Sequence, residues 1–188
     1  MDLHTIHNKD QEKILRATCA PFDFSKHTKK EIREMVTEMR KRMHEWRGVG
    51  LASTQIGINE TFFVAQTQNG KFYAIFNPKI TKTEGAPVYM EEGCLSVPGV
   101  YGQVPRYENL TIEGFDQNNK KIKIKAWGLL AQIFQHETDH LKGVLCVDKM
   151  KDQYSVPSSE RLQETLVSQR PVSPLVSKKQ KPTNGLTS

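Results

Sequence analysis

The feature that most constrains this chain is a predicted helix, residues 129–142, with two histidines on its apolar face. His136 and His140 are four residues apart, so they lie within about 40° of each other on a helical wheel, and Leu129 and Ile133 share that face. Apolar neighbours bury a helix face, and a buried imidazole needs a partner. If this face is buried, the chain must fold so that the helix is covered and both imidazoles have a partner.

The residue after the first histidine makes the pair an HExxH motif. Glu137 lies about 60° to one side of His140 on the same wheel. In this arrangement two neutral imidazoles hold a metal ion, and the glutamate moves a proton of a water molecule. The competing interpretation is a solvated polar face with a chance histidine pair. The apolar neighbours of the histidines favour the metal.

A catalytic metal of this type needs a third protein ligand, for which the chain offers three candidates. Cys94 stands in EEGCLSVPG, a stretch typical of a turn, and a thiolate beside a cation stays deprotonated. Cys146, in GVLCVD, has the pattern of a buried apolar position. Glu160 has the spacing from His140 that thermolysin-like peptidases use, but its surroundings are polar. Chemistry favours Cys94, and the choice stays open at this point.

The helix and strand signals predict an α+β fold, with antiparallel strands wrapped around a central helix that carries the HExxH motif. Thr28 and Glu31 form a capping box before a helix of about 18 residues. Asn69-Gly70 is typical of a hairpin turn, and Asn77-Pro78 predicts the end of the strand that follows that turn. The predicted strands are residues 61–67, 72–76, 86–90, 110–115 and 122–126.

Length and composition predict one main domain, residues 1–150, followed by two short segments. Residues 151–170 form a C-terminal segment with a predicted short helix at 158–170. Residues 171–188 carry prolines and lysines without periodicity and are predicted to be disordered. This basic tail has three lysines and no acid, so it supplies half of the net charge of +6. The balance elsewhere is ordinary and gives little support to specific nucleic-acid binding.

The cysteine count and the apolar runs indicate the cellular compartment in which such a chain is found. Three cysteines without paired spacing suit a reducing compartment, which predicts a cytoplasmic location and leaves an organelle open. No apolar run approaches the roughly 20 residues that span a bilayer. The first residues alternate polar and apolar side chains, so no secretory signal is expected.

A third stretch, GVGLASTQIG at residues 48–57, is rich in small residues. Small side chains let a peptide backbone lie against the chain, and the Gln55 amide is able to donate a hydrogen bond to a carbonyl oxygen. The alternative is a glycine-rich exit from the preceding helix.

Together, three motifs resemble the peptide deformylase family, and the compact, bacterial-type branch of it. Its GxGLAxxQ, EGCLS and HExDH patterns occur here in order, as residues 48–55, 92–96 and 136–140. The resemblance covers roughly residues 14–150, and residues 1–150 would then be the catalytic domain.

The resemblance implies a reaction, a metal and a set of site residues. The reaction is hydrolysis of the N-formyl group from the initiator methionine of nascent polypeptides, with release of formate. The cofactor is one divalent ion, most commonly Fe²⁺, with Zn²⁺, Ni²⁺ or Co²⁺ as replacements. Its ligands would be Cys94, His136 and His140. The catalytic residues would be Glu137 as general base and acid, with the Gln55 amide and the Leu95 backbone N–H stabilising the oxyanion.

The resemblance also implies how the substrate binds. The peptide backbone would pair with residues 49–51, and a ribosome contact through the C-terminal segment would follow family habit. Arg106 would either brace the pocket or carry a surface charge. The implied substrate-binding residues are Val49, Gly50, Leu51, Arg106, Leu129 and Ile133.

Two other functions stay as alternatives. One is a zincin-like metallopeptidase whose third ligand is Cys146 or Glu160. The other is a ribosome- or RNA-binding module that acts through the basic tail. The first predicts that the metal stays when Cys94 is replaced. The second predicts that removal of residues 171–188 abolishes binding and leaves formate release intact.

Overall fold

Two antiparallel sheets and three α-helices make up the computed structural model, which describes residues 1–67 and 69–156. The helices are α1 (Lys9–Leu15), α2 (Lys29–Glu45) and α3 (Gly128–His140). The strands are β1 (Gly50–Ala52), β2 (Phe62–Gln66), β3 (Phe72–Glu84), β4 (Val88–Cys94), β5 (Val97–Arg106), β6 (Asn109–Phe115), β7 (Lys121–Trp127) and β8 (Lys151–Ser155). Five strands form one sheet in the order β1-β2-β3-β6-β7, and three form the other in the order β4-β5-β8. The predicted α+β class with antiparallel strands is confirmed.

Helix α2 starts where the sequence predicts, because its capping box is formed. The Glu31 carboxylate accepts a hydrogen bond from the Thr28 backbone N–H at 2.7 Å, and the Thr28 hydroxyl accepts one from the Glu31 N–H at 3.2 Å. The helix buries its apolar face against β1 and β2. The buried side chains are Ile32, Val36, Met39 and Met43.

The hairpin predicted at Asn69-Gly70 is confirmed, but the strand that follows it is longer than predicted. The prediction that Asn77-Pro78 ends this strand is wrong, because β3 continues to Glu84. Pro78 lies in a register shift between Phe76 and Lys79. At that point the sheet needs no hydrogen bond from the proline nitrogen. Asn77 adopts a left-handed conformation there, with φ at 48°.

Strands β5 and β8 were not predicted, and β8 lies directly beyond the predicted boundary at residue 150. It pairs with β5, so residues 151–155 join a sheet of the main domain. The predicted helix at 158–170 and the tail at 171–188 lie outside the described residues. The division into those two segments therefore stays a prediction.

Helix α3 contacts both sheets, which places its histidines in the interior. Its apolar residues, among them Ala131 and Phe134, join the buried cluster on the five-stranded sheet. On its other side, the Gln132 side chain donates a hydrogen bond to the backbone carbonyl of Glu91 in β4 at 2.8 Å. The helix ends at His140, two residues before the predicted end, and a turn leads to Gly143. Among residues 1–67 and 69–156, no helix has the length and apolarity needed to cross a bilayer.

We expect Gly143→Ala to lower the melting temperature far more than Gly70→Ala. Both glycines have positive φ, 73° and 82°, which costs an alanine about 1–2 kcal/mol. At Gly143 the new Cβ would also lie 2.6 Å from the backbone carbonyl carbon of Arg16, whereas at Gly70 nothing lies within 4 Å. Thermal unfolding followed by circular dichroism measures the difference, and equal shifts would contradict the predicted contact.

Candidate metal and catalytic site

The two histidines of α3 and the cysteine at the end of β4 bring three ligand atoms together. The Nε2 atoms of His136 and His140 are 3.2 Å apart, and the His140 Nε2 is 3.2 Å from the Cys94 Sγ. All three ligand atoms lie within 4.8 Å of one another. Cys94 thus meets two histidines that lie 42 and 46 positions further along the chain.

Cys94 is positioned by a tight hairpin between β4 and β5. The register shifts between Gly93 and Cys94, so the cysteine leaves the regular ladder and pairs with Val97 at the turn. Gly93 is required because a Cβ there would lie 2.5 Å from the nearest atom of the Tyr101 ring. The sulfur atom is therefore aimed by the backbone of the hairpin.

A carboxylate that the sequence analysis left without a role orients the first histidine. Glu92 Oε2 is 3.0 Å from His136 Nδ1. Burial would raise the pKa of Glu92, but hydrogen bonds from Arg106 and His136 outweigh it and lower the pKa to about 2. The ionised carboxylate accepts the Nδ1 proton, and in the neutral imidazole this leaves the Nε2 lone pair facing the other ligand atoms.

Arg106 lies behind the histidines and holds this carboxylate in place. Its Nε and Nη2 atoms donate to the two Glu92 oxygens at 2.7 and 2.9 Å, and its Nη1 donates to Asp139 at 2.6 Å. The side chain is only 2% exposed. This burial does not fit a surface charge, and the assignment of Arg106 to the substrate-binding residues stays a prediction. Of the two roles considered, the structure supports a brace.

The three ligand atoms fit a divalent cation. Four-coordinate zinc-like geometry, with bonds of about 2.0 Å to nitrogen and 2.3 Å to sulfur, separates two nitrogens by about 3.3 Å and a nitrogen from a sulfur by about 3.6 Å. Two of the three observed separations, at 3.2 Å, are close to these values, and the third is no more than 4.8 Å. Two imidazole lone pairs and a thiolate that face one another repel unless a cation lies between them. Imidazole and thiolate donors suit iron and zinc alike.

Glu137 lies beside the ligand atoms in a nearly water-free position. It is 3% exposed, and burial raises the pKa of its carboxyl to about 7. Its Oε2 atom has no hydrogen-bond partner among the residues that the structure describes. Its other oxygen faces Gly50 of β1, where a Cβ would lie 2.7 Å from the carboxyl carbon. A carboxyl group with such a pKa is able to accept and return a proton near neutral pH.

Gln55 and Leu95, the predicted oxyanion donors, both lie next to Cys94. The Gln55 Oε1 accepts a hydrogen bond from the Ala52 N–H at 2.9 Å, which turns its NH₂ group towards β4. That group donates to the Ser96 hydroxyl at 3.1 Å and lies 3.9 Å from the Cys94 sulfur. Leu95 directly follows this cysteine and is partly buried.

The predicted substrate-binding residues fall into two groups. Val49 and Leu129 are 44% and 43% exposed, so they offer apolar surface to a ligand. Leu51 and Ile133 are buried in the core, with exposures of 0% and 4%. The backbone of β1, which includes Gly50, lies at an edge of the five-stranded sheet.

The rival ligands do not join the three atoms. Cys146 is buried, as the sequence predicts, and its thiol lies near that of Cys94, which lowers the pKa of Cys146 and was not foreseen. It is not among the residues whose ligand atoms converge in the described part of the chain. Glu160 lies outside the described residues.

Comparisons with known proteins point to one family. The family model described as polypeptide deformylase matches residues 5–155. The chain is 41% identical to a peptide deformylase of Halothermothrix orenii over 138 residues, which cover 73% of this chain and 87% of that protein. It is similar to the crystal structure of a peptide deformylase from Synechococcus elongatus in complex with actinonin, with a TM-score of 0.73, 35% identity and coverage of 81% and 79%. A peptide deformylase structure from Thermotoga maritima gives a TM-score of 0.72 at 28% identity, with coverage of 80% and 97%. This chain therefore belongs to the polypeptide deformylase family.

Proposed function

We propose that this protein removes the N-formyl group from the initiator methionine of nascent polypeptides and releases formate. The observation that carries the proposal is the convergence of Cys94, His136 and His140 beside the buried carboxyl group of Glu137. The family to which the chain belongs is named for this reaction. The metallopeptidase and RNA-module alternatives have no comparable support.

Cys94, His136 and His140 would hold one divalent ion, Fe²⁺ in the native protein, with Zn²⁺, Ni²⁺ or Co²⁺ as replacements. When bound, the ion would act as a Lewis acid and make water nucleophilic at neutral pH. Three protein ligands leave a coordination position open, as a catalytic site requires.

Glu137 would move the proton that the hydrolysis has to transfer. It takes a proton from the attacking water as the oxygen bonds to the formyl carbon, and it gives a proton to the amine nitrogen as the C–N bond breaks. The Gln55 amide and the Leu95 backbone N–H would donate hydrogen bonds to the formyl oxygen while negative charge develops on it. The products are formate and a free amino terminus.

The substrate would bind as an added strand at the open edge of β1. Main-chain hydrogen bonds to residues 49–51 would align the peptide, and Val49, Leu129 and Ile133 would contact the methionine side chain. Leu51 would contribute its backbone, because its side chain is buried in the core. Gly50 would let the peptide and Glu137 approach each other closely.

We expect Gly50→Ala to lower kcat/KM by at least tenfold with little change in metal content. The added Cβ would lie 2.7 and 3.0 Å from the carboxyl carbon and Cγ of Glu137, so the carboxylate must move out of its position. Misplacement by about 1 Å is enough to cost roughly a hundredfold in rate. Gly48→Ala is a useful comparison, because there the nearest atom belongs to the flexible Leu95 side chain. Equal losses in both variants would argue against a close approach at Gly50.

The direct test is formate release from a formyl-methionyl tripeptide by protein purified without oxygen. Formate detection and metal analysis are done on the same sample, and an acetyl-methionyl tripeptide serves as the control substrate. Release of formate in proportion to metal content supports the proposal. A fully metal-loaded protein that releases none would overturn it.

A ribosome contact through the C-terminal segment is a separate proposal, supported by the positive charge of the tail. It is tested by co-sedimentation of the chain with ribosomes, before and after removal of residues 157–188. Unchanged co-sedimentation after the removal would contradict it.

A further inference from the structure

The edge strand β7 carries a row of exposed lysines that ends in an exposed tryptophan. Lys121, Lys123, Lys125 and Trp127 alternate with residues that face the core, as a strand requires. Trp127 is 71% exposed, the highest value among the exposed large apolar side chains of the described residues. The row therefore combines regular positive charge with one large aromatic surface.

Two neighbouring strands extend this row into a basic sheet face. The strand pairing places Lys79 of β3 beside Glu113 and Lys123, and Lys82 of β3 beside Thr111 and Lys125. Glu113 forms an ion pair with Lys123 at 2.8 Å, and Glu84 forms one with Lys82 at 2.6 Å. Five lysines and two glutamates leave the face with a net positive charge. A shallow cavity of about 370 Å³ lies between these side chains.

Protection of the sheet edge explains only part of this pattern. Lysines on an edge strand hinder pairing with another chain, and that role needs no ligand. Trp127 works against such protection, because it adds apolar surface to the same edge. An exposed tryptophan at the end of a lysine row is instead typical of a surface that stacks a base and contacts phosphates.

We propose that this face, formed by the outward side chains of β3, β6 and β7, binds single-stranded nucleic acid without sequence preference. Successive lysines on β7 are about 6.8 Å apart, which suits consecutive phosphates of one strand. The indole of Trp127 would stack on a base, and the lysines would neutralise the backbone. A sheet face with an exposed aromatic residue is a known geometry for such binding. The inference does not depend on the proposed function, because the face contributes no ligand or catalytic residue.

The test measures fluorescence anisotropy of a labelled oligouridylate of about twelve nucleotides against the full chain, between about 50 and 200 mM salt. In the triple variant Lys121→Gln, Lys123→Gln, Lys125→Gln, the slope of log K against log salt should become shallower by about 2, because each phosphate contact contributes about 0.7. Trp127→Ala should weaken binding by roughly tenfold, and Trp127→Phe should restore most of it.

The tail offers a matched control with the same loss of charge. The triple variant Lys178→Gln, Lys179→Gln, Lys181→Gln should keep the wild-type salt slope. Loss of binding in the tail variant alone would overturn the proposal, and so would absence of binding by the wild-type chain. Binding to phosphatidylserine vesicles but not to the oligonucleotide would also overturn it, because the partner would then be a membrane. Formate release should stay unchanged in every variant, which separates this test from that of the proposed function.

Discussion

Replacing Cys94 with alanine is expected to remove the metal and, with it, formate release. The cysteine supplies one of three converging ligand atoms, and its sulfur lies 3.2 Å from the His140 Nε2. Losing a residue that merely orients a ligand costs about 10- to 100-fold in metal affinity, and losing a ligand itself should cost more. Metal per chain after gel filtration without oxygen, together with formate release, measures the effect.

Cys146→Ala is the matched control for this prediction. Both thiols are in contact, and both side chains have the same size, but Cys146 lies outside the converging group in the described part of the chain. This variant should keep its metal and its formate release, with a small loss of stability from the buried site. If metal survives in Cys94→Ala and is lost in Cys146→Ala, the protein is a metallohydrolase of another kind.

Replacing Glu137 with glutamine is expected to lower kcat/KM by roughly 10²- to 10⁴-fold while the metal stays bound. At about 1.4 kcal/mol for each factor of ten, the loss corresponds to about 3–5 kcal/mol of transition-state stabilisation. The amide has nearly the same size as the carboxyl group, but it is unable to accept a proton. Steady-state formate release and metal analysis of the same sample measure the two quantities separately.

Glu34→Gln is the comparison for Glu137→Gln, because Glu34 lies on the exposed face of α2 with 64% of its side chain accessible. It should behave as the wild type in both measurements. Full activity in Glu137→Gln would exclude the carboxyl group as the base. A loss of activity that follows a parallel loss of metal would show that Glu137 supports the metal instead.

Local sequence signals were sufficient for the elements that depend on local chemistry. The capping box at Thr28 and the Asn69-Gly70 turn are short-range hydrogen-bond and dihedral preferences, so both were found. The same preferences failed at Asn77-Pro78, because tertiary contacts override them there. The Asn77 side chain binds the backbone N–H and carbonyl of Phe22 at 2.7 and 2.9 Å, which stabilises its left-handed conformation within the strand.

Strand β5 was missed because its composition is that of a loop. It contains two prolines and two glycines, which are depleted in strands, and its pairing with β4 comes from tertiary context. Close packing favours glycine at position 102, because a Cβ there would lie 3.0 Å from the carbonyl oxygen of Lys151 in β8. Such packing reasons are invisible until the partner strand is known.

The ligand residues could be proposed from the motifs, whereas the network behind them could not. Cys94, His136 and His140 stand in short patterns with a chemical meaning. Arg106 has no such pattern, and its contacts with Glu92 and Asp139 join β5 to β4 and α3. Glu92 did have a usable signal, since a metal-binding histidine usually donates its second N–H to a carboxylate or carbonyl.

The position of β1 at the edge of its sheet affects how many different polypeptides such an enzyme is able to use as substrates. A strand edge offers backbone N–H and carbonyl groups, and these are the same in every polypeptide. Recognition through them depends little on which residues come after the first one. If the peptide binds at this edge as proposed, a single site would suit a whole proteome of different amino termini, with selectivity confined to the first residue and its formyl group.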